Sequence, residues 1–211
     1  LDAWMPIEYP ELGVYHPRMN KQLSHRLQDL PKPKGRQHGT VGLLIMRSYV
    51  LAGNTAHYDT MIGALEARGL RVVTAFASGL DARPAIREFF IKDDQPNVDA
   101  VISLTGFSLV GGPAYNDAKA AEDMLARLDV PYLAAHAVEF ETLEDWTSSD
   151  QGLLPVETTM MVAIPELDGS TGPIVFGGRS EKAESQCDMQ AHPERVEMLA
   201  KRVEKLVALR K

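Results

Sequence analysis

Two short apolar runs of the sequence, TVGLLIM at 40–46 and VDAVISLT at 98–105, are each followed by side chains that can bind a ligand. The residues selected as a candidate site are Arg47, Ser48, His57, Tyr58, Thr105, Phe107, Gly111 and Gly112. An arginine can hold a carboxylate or phosphate through two parallel hydrogen bonds, and a glycine pair lets the backbone approach a ligand closely. This set suits an anionic, partly apolar ligand. The alternative, in which Gly-Gly-Pro only turns the chain and Phe107 covers the core, stays open.

A second group of chemically active side chains lies in HAVEFETLEDWTSSD at 136–150, which we expect to be a loop. It holds four acids and a tryptophan: Glu139, Glu141, Glu144, Asp145 and Trp146. Carboxylates can serve acid–base chemistry or cation traffic, although acids on a loop are more often only solvated. The tryptophan is unusual for a solvated loop and indicates burial against a neighbouring element or a partner. We therefore select Glu139, Glu141 and Trp146 as candidate partner-surface residues.

The sequence contains none of the compact motifs that identify a nucleotide site, a hydrolase or a zinc site. It has no GxGxxG, no Walker-type GK[ST] and no G-x-S-x-G elbow. No two of its 6 histidines have the i, i+4 spacing of a zinc-binding helix, and the single cysteine, Cys187, adds no second thiolate. The residues alone therefore predict neither a metal site nor a catalytic constellation.

Composition narrows the class of protein. The 211 residues are 45% hydrophobic and 24% charged, which is enough for one sizeable soluble core. The formal net charge of −7 argues against a nucleic-acid-binding protein. No apolar run approaches the roughly 18 residues of a membrane-spanning helix. The single cysteine and the lack of a signal-peptide pattern favour a reducing compartment, so we expect a cytoplasmic protein.

Strand-length apolar runs alternate with helical patterns from residue 40 onward. The predicted strands are 40–46, 71–77, 98–105, 131–137 and 172–178, and the predicted helices are 54–70, 82–90, 116–130, 155–167 and 192–211. Such alternation, with near-continuous apolar strands, is typical of a parallel sheet covered on both faces. The sequence predicts a three-layer α/β fold, flavodoxin-like or Rossmann-like, with about five parallel strands in the order 2-1-3-4-5 and an extended N-terminal arm.

This pattern divides the chain into three parts. We expect an N-terminal extended segment and linker at 1–39, an α/β sandwich domain at 40–180, and a C-terminal amphipathic helix at 181–211 that leads to a further domain. In open parallel sheets, ligands bind beyond the carboxyl ends of the strands, at the point where the strand order reverses. The loops after predicted strands 1 and 3 flank that point, and they carry the candidate site.

Longer blocks of the sequence are recognisable as a set: EYPELGVYHPRM, RSYVLAGNTAHYDTMIGALEARGLRVVTAFASGLDARPAI, VDAVISLTGFSLVGGPAYND, VPYLAAHAVEFETLEDWTSSDQGLLPVETTMMVAIPELDG, PIVFGGRS and the tail HPERVEMLAKRVEKLVALRK. Together they resemble the large, porphyrin-binding H subunits of the magnesium chelatases, and the tail is similar to the bacteriochlorophyll-pathway form. SLTGFSLVGGP and AIPELDG are the most specific blocks. The related cobaltochelatase large subunits share the ALEARGL and PELDG patterns but depart in GFSLVGGP, which favours magnesium chelatase.

The resemblance implies an internal segment, from the N-terminal half, of a much longer subunit that binds protoporphyrin IX. Two AAA+ partner subunits, I and D, would drive the ATP-dependent insertion of Mg2+ for chlorophyll or bacteriochlorophyll synthesis, a ligase reaction that forms nitrogen–metal bonds. It also implies no tightly bound cofactor in this segment, and a cytoplasmic location or one peripheral to photosynthetic membranes.

The same resemblance implies that the catalytic centre lies elsewhere. The glutamate proposed to be catalytic in the family belongs to a His-Gly-Ser-Leu-Glu type block, which this sequence lacks. We therefore carry over no catalytic residue and expect the segment alone to be inactive.

Several functional hypotheses stay open. The first is a segment that helps to enclose the porphyrin in magnesium chelatase, and the second is a segment of a cobaltochelatase large subunit. The third is a scaffold domain that contacts the partner subunits or the remaining domains without touching porphyrin. A free-standing module that binds flavin or nucleotide is disfavoured because no phosphate-binding motif is present.

Overall fold

A computed structural model describes residues 8–33, 35–112, 114–181 and 188–211 of the chain. The strands are β1 (Leu12–Val14), β2 (Gly39–Leu44), β3 (Leu70–Ala77), β4 (Ile91–Lys92), β5 (Gln95–Pro96), β6 (Ala100–Ser103), β7 (Gly111–Gly112), β8 (Tyr115–Asn116), β9 (Tyr132–Thr142), β10 (Ile174–Arg179) and β11 (Met189–Ala191). The helices are α1 (Arg47–Leu51), α2 (Ala56–Ala67), α3 (Arg83–Phe89), α4 (Ala118–Leu128), α5 (Leu143–Ser148), α6 (Pro155–Glu157), α7 (Ile164–Leu167) and α8 (Pro193–Leu209). A 3-10 turn spans Leu27–Asp29, and a π-helical stretch, Thr158–Ala163, joins α6 to α7.

The main sheet has seven strands in the order β1-β3-β2-β6-β9-β10-β11. The five inner strands pair in parallel, whereas β1 and β11 pair antiparallel at the two edges. The five inner strands follow the predicted order 2-1-3-4-5, but the expectation of a plain five-stranded flavodoxin-like sheet is wrong because the sheet has seven strands. Both additional strands are three residues long, too short to leave a periodic signal in the sequence. The N-terminal arm, expected to be extended, supplies β1 and so completes one edge.

Apolar side chains on both faces of the sheet are covered by helices. On one face, α2 and α8 pack over β2, β6 and β9, and on the other α3 and α4 pack over the same strands. Helix α2 buries Tyr58, Met61, Ile62 and Leu65, which recur at the helical spacing. Gly69 follows its end with φ +69°, the left-handed conformation in which a glycine commonly ends a helix. Because the inner strands run in parallel, their carboxyl ends all lie at the same end of the sheet.

The segment after the fourth parallel strand differs from the predicted loop. Strand β9 continues to Thr142, pairing along β10, so Glu139 and Glu141 lie on a strand. Glu144 and Asp145 lie in α5, where the Thr142 hydroxyl accepts a hydrogen bond from the Asp145 N–H at 3.1 Å. The run VEFET places polar residues in alternation, and that alternation extends a strand as readily as it suits a loop.

Parts of all three predicted segments lie outside the described residues. They are 1–7 and Lys34 in the N-terminal part, Pro113 of the predicted Gly-Gly-Pro turn, and 182–187, including Cys187, in the C-terminal part. The division into three domains stays a prediction. Among the described helices, none is long and apolar enough to cross a membrane.

Candidate functional site

A small cavity opens at the carboxyl ends of β2, β3 and β6. Its lining comes from the three segments that follow these strands and comprises Leu44, Ile45, Met46, Phe76, Ala77, Gly79, Leu80, Ala82, Ser103, Thr105, Phe107, Ser108, Leu109 and Gly111. The free volume is about 30 Å³, which is room for about two water molecules. The lining is mainly apolar, with a few hydroxyl and backbone groups.

Two of these segments are joined to each other by backbone hydrogen bonds. The Gly111 N–H donates to the Leu80 carbonyl at 2.8 Å, and the Ala82 N–H donates to the Leu109 carbonyl at 3.0 Å. Arg83, at the start of α3, binds Asp81 through its Nε and Nη2 atoms at 2.9 and 2.7 Å. The segment after β3, which we had not selected from the sequence, therefore forms part of the cavity wall with the segment after β6.

The predicted glycine pair serves the turn rather than an open approach. Gly111 has φ +128°, and a Cβ there would lie 2.2 Å from the carbonyl oxygen of Tyr115. A Cβ on Gly112 would lie 2.3 Å from Leu80 Cδ1. The space beside both glycines is thus filled by the chain itself, because β7 and β8 form a tight antiparallel pair. Gly111 still contributes backbone to the cavity lining.

Thr105 and Phe107 lie in the cavity wall, as the sequence suggested for the loop after the third parallel strand. The hydroxyls of Thr105 and Ser103 are 3.0 Å apart, and the Phe107 N–H donates to Thr105 Oγ1 at 3.4 Å. Phe107 is half-buried, so its ring has both cavity and solvent beside it. The apolar surface extends outward through Leu80, which lines the cavity and is 48% exposed.

Arg47 and Ser48 begin the short helix α1, directly after the cavity residue Met46. Ser48 is exposed and Arg47 is half-buried. The Arg47 Nε atom is buried and finds no hydrogen-bond partner within the described part of the chain. Arg47 is therefore next to a cavity residue in the sequence, and its Nε atom has unused hydrogen-bonding capacity.

His57 and Tyr58 do not reach the cavity; both are buried beneath α1 in the core. The Tyr58 hydroxyl accepts a hydrogen bond from the Met46 N–H at 3.3 Å, so it supports the segment that leads to Arg47. Burial lowers the pKa of His57 to about 3 and raises the pKa of Tyr58 above its ordinary value. His57 is therefore neutral at physiological pH.

The partner-surface candidates lie at the end of β9 and on α5. The Tyr49 hydroxyl donates to exposed Glu139 at 2.6 Å. Trp146 is half-buried, and Arg195 of α8 lies over it with Cζ 4.6 Å from the ring centroid. Partial burial raises the pKa of Glu141, and the nearby carboxylates of Glu157 and Asp145 raise it further. Trp146 thus has a neighbour within the chain, and nothing tests a role at a partner surface.

One buried carboxylate beside the cavity was missed by the sequence analysis. Asp168 is 2% exposed, and its Oδ2 atom accepts a hydrogen bond from the Leu109 N–H at 2.6 Å. Burial raises the pKa of Asp168, and the bond from Leu109 partly offsets that rise. The sequence did contain a signal for these two residues. Asp168 lies in AIPELDG and Leu109 lies in SLTGFSLVGGP, which are the two most specific blocks of the family resemblance.

Comparison with known proteins assigns the chain to a family. A family profile described as CobN/Magnesium Chelatase matches residues 2–211. The chain belongs to the CobN/magnesium chelatase family. The magnesium-chelatase H subunit of Cereibacter sphaeroides is 48% identical over 227 residues and matches 100% of this chain. A chloroplastic magnesium-chelatase ChlH subunit of Oryza sativa is 37% identical over 84% of the chain.

Cobaltochelatases are more distant relatives of this chelatase-family chain. An aerobic cobaltochelatase CobN subunit of Pseudomonas aeruginosa is 32% identical over 87% of the chain. Among solved structures, the catalytic subunit of cobaltochelatase from Mycobacterium tuberculosis covers 92% of the chain with a TM-score of 0.66 and 26% identity.

The chelatase-family chain is much shorter than these relatives. It spans 19% of the Cereibacter protein, 14% of the Oryza protein and 15% of the Mycobacterium chain. In the described residues, no group of three or more His, Cys, Asp or Glu side chains is arranged to hold a metal ion. The family assignment therefore rests on the whole chain and not on a metal centre within it.

Proposed function

We propose that this chain is the part of a magnesium-chelatase H subunit in which the carboxyl edge of the sheet forms one wall of the porphyrin site. The complete enzyme would insert Mg2+ into protoporphyrin IX, with ATP hydrolysed by its AAA+ partner subunits, I and D. The family membership and the 48% identity to an H subunit support this assignment. The cobaltochelatase alternative is the weaker one, because the identity to that relative is lower.

The observation that carries the proposal is an apolar rim, with a cation next to one of the cavity residues in the sequence. Phe107 and Leu80 present apolar surface in the cavity wall, and Arg47 follows the cavity residue Met46 in the sequence. A porphyrin has a flat apolar ring and two propionates, so its binding needs apolar contact together with hydrogen bonds to carboxylates. In this arrangement Phe107 would contact the ring and Arg47 would bind a propionate.

The size of the cavity decides how the porphyrin would bind. Pockets that enclose a drug-sized ligand have volumes of roughly 300–1,000 Å³, whereas this cavity has about 30 Å³. The macrocycle would therefore lie against the rim, and the opposite wall would come from residues outside this chain. This chain would supply neither the Mg2+ site nor the ATP site and would hold no cofactor of its own.

The same small volume favours the scaffold hypothesis as a second candidate. A rim of exposed apolar side chains can equally be covered by protein. In that case the edge would contact other domains of the full-length protein, and porphyrin would bind elsewhere.

Porphyrin titration of a full-length H subunit that carries this segment separates the two candidates. Phe107→Ala should raise the Kd for deuteroporphyrin IX by about tenfold, because the apolar contact between the aromatic ring and the porphyrin is lost. Phe140→Ala is the matched control, since Phe140 is 54% exposed on β9 and does not line the cavity. An unchanged Kd for Phe107→Ala would favour the scaffold.

A further inference from the structure

Asp168 connects two parts of the molecule that are distant in sequence. It follows the last residue of α7 as the C-cap of that helix, and its carboxylate binds the Leu109 N–H, 59 positions earlier in the chain. Leu109 lines the cavity between Phe107 and Gly111. The helical segment formed by α6, the π-helical stretch and α7 is thereby tied to the cavity wall.

Other backbone donors of the wall segment bond within that segment or to the neighbouring segment after β3. The Phe107 N–H bonds to Thr105 Oγ1, the Val110 N–H bonds to Ser108 Oγ at 3.2 Å, and the Gly111 N–H bonds to the Leu80 carbonyl. The donor of Leu109 instead bonds to a side chain from another layer of the fold. A buried N–H without an acceptor is costly, so the Asp168 carboxylate satisfies a donor that would otherwise be left unpaired in the wall.

Asp168 is itself held firmly. The Gly169 N–H donates to the Glu166 carbonyl and the Ser170 N–H donates to the Pro165 carbonyl, both at 3.0 Å. Gly169 has φ +101°, which turns the chain away from the helix directly after Asp168. The side chain of Asp168 is therefore presented to Leu109 from a closed helix end.

We infer that Asp168 is a positioning residue for porphyrin binding: through the Leu109 N–H it holds the wall from Thr105 to Gly111 in its binding shape. This inference rests on the proposed function, since it assumes that the wall contacts porphyrin. Asp168 itself is buried behind Leu109 and does not touch the ligand.

Variants of a full-length H subunit that carries this segment test the inference. Asp168→Ala removes the acceptor, and Asp168→Ser places a hydroxyl too short to reach Leu109, which gives a second variant if alanine prevents folding. Asp168→Asn retains an oxygen that can accept the bond. We expect the Ala and Ser variants to raise the Kd for deuteroporphyrin IX by about tenfold or more, and the Asn variant to remain within about threefold of wild type.

Glu157 provides a matched control. It is fully buried at the other end of the same helical segment, and its Oε2 atom accepts a hydrogen bond from the Leu154 N–H at 3.1 Å. It does not line the cavity. Glu157→Ala and Glu157→Gln should leave the Kd within about twofold of wild type, even where the stability of the protein falls. A general loss of stability would affect both sets of variants alike.

Hydrogen exchange of the peptide 105–112 in the same variants gives a readout that does not depend on porphyrin. Exchange should become faster in Asp168→Ala and Asp168→Ser but not in Asp168→Asn or the Glu157 variants. Unchanged exchange or unchanged Kd in a folded Asp168→Ala or Asp168→Ser protein would overturn the inference, as would an equal loss of affinity in Glu157→Ala.

Phe107→Ala separates a failure of the positioning role of Asp168 from a failure of the proposed function. If it weakens porphyrin binding while the Asp168 variants do not, the positioning role fails and the proposed function stands. If neither Phe107→Ala nor the Asp168 variants change the Kd, the proposed function fails as well.

Discussion

The ring of His57 lies against the ring of Tyr58, with 3.8 Å between the ring centroids, and both side chains are buried under α1. Tyr49 and Phe176 complete this aromatic group, with ring centroids 5.2 and 5.8 Å from His57. His57 and Tyr58, which the sequence analysis selected as candidate ligand contacts, are therefore part of the core. Their contribution to binding would be indirect, through the placement of α1 and Arg47.

The buried histidines should make the protein less stable as the pH is lowered. Burial lowers the pKa of His57 to about 3 and of His136 to about 4, so the unfolded chain takes up these protons first, near pH 6.5. Their contribution to stability is complete above pH 6.5 and is lost as the pH falls toward the folded pKa values. Each pKa unit corresponds to about 1.4 kcal/mol.

Urea unfolding of the 211-residue chain between pH 8 and pH 4 measures this effect. His57→Phe and His136→Leu should each flatten the acid side of the stability curve. His25→Gln, at an exposed position, is the control and should leave the curve unchanged. Parallel curves for wild type and both core variants would show that the two histidines are not buried as described.

Arg47 should contribute to porphyrin affinity in a full-length H subunit. Loss of a charge-assisted hydrogen bond to a propionate predicts that Arg47→Ala raises the Kd by about tenfold or more. Arg47→Lys should restore part of the affinity, because the charge remains but the paired geometry is lost.

Arg71→Ala controls for the change in net charge, since Arg71 is exposed on β3. Equal Kd values for Arg47→Ala and Arg71→Ala, measured by fluorescence titration, would remove Arg47 from the site.

The two glycines of the hairpin should respond differently to alanine. Gly111→Ala forces a side chain into φ +128° and against the backbone of Tyr115, so the free energy of unfolding should fall by about 2–3 kcal/mol. Gly112→Ala meets the end of the Leu80 side chain, which can rotate, so its cost should be about 1 kcal/mol. Urea unfolding of both variants checks the order, and a larger loss for Gly112→Ala would contradict it.

The alternation of apolar runs and helical patterns was sufficient to predict the inner sheet and its helices. Leu43 and Leu44 in β2, and likewise Val101 and Ile102 in β6, are buried on opposite faces of a parallel sheet and so leave an unbroken apolar run. The edge strands β1 and β11 could not be found in this way, because three residues define no period.

The site was only partly predictable for a different reason. Thr105 and Phe107 follow a strand directly, so the end of that strand fixes their place. His57 and Tyr58 are ten or more residues beyond the end of β2, and whether they face solvent or core depends on how α1 folds back. Leu80 and Asp168 join the cavity through contacts between distant segments, which no local pattern records.

Hydrogen exchange of a full-length H subunit, with and without deuteroporphyrin IX, tests most directly whether this sheet edge contacts porphyrin. If porphyrin binds at this end of the sheet, exchange should become slower on binding in the peptides that cover 78–82 and 104–112, with no change in the peptide 196–207 of α8. Protection confined to peptides outside this chain would contradict it, and the sheet edge would then be a scaffold surface.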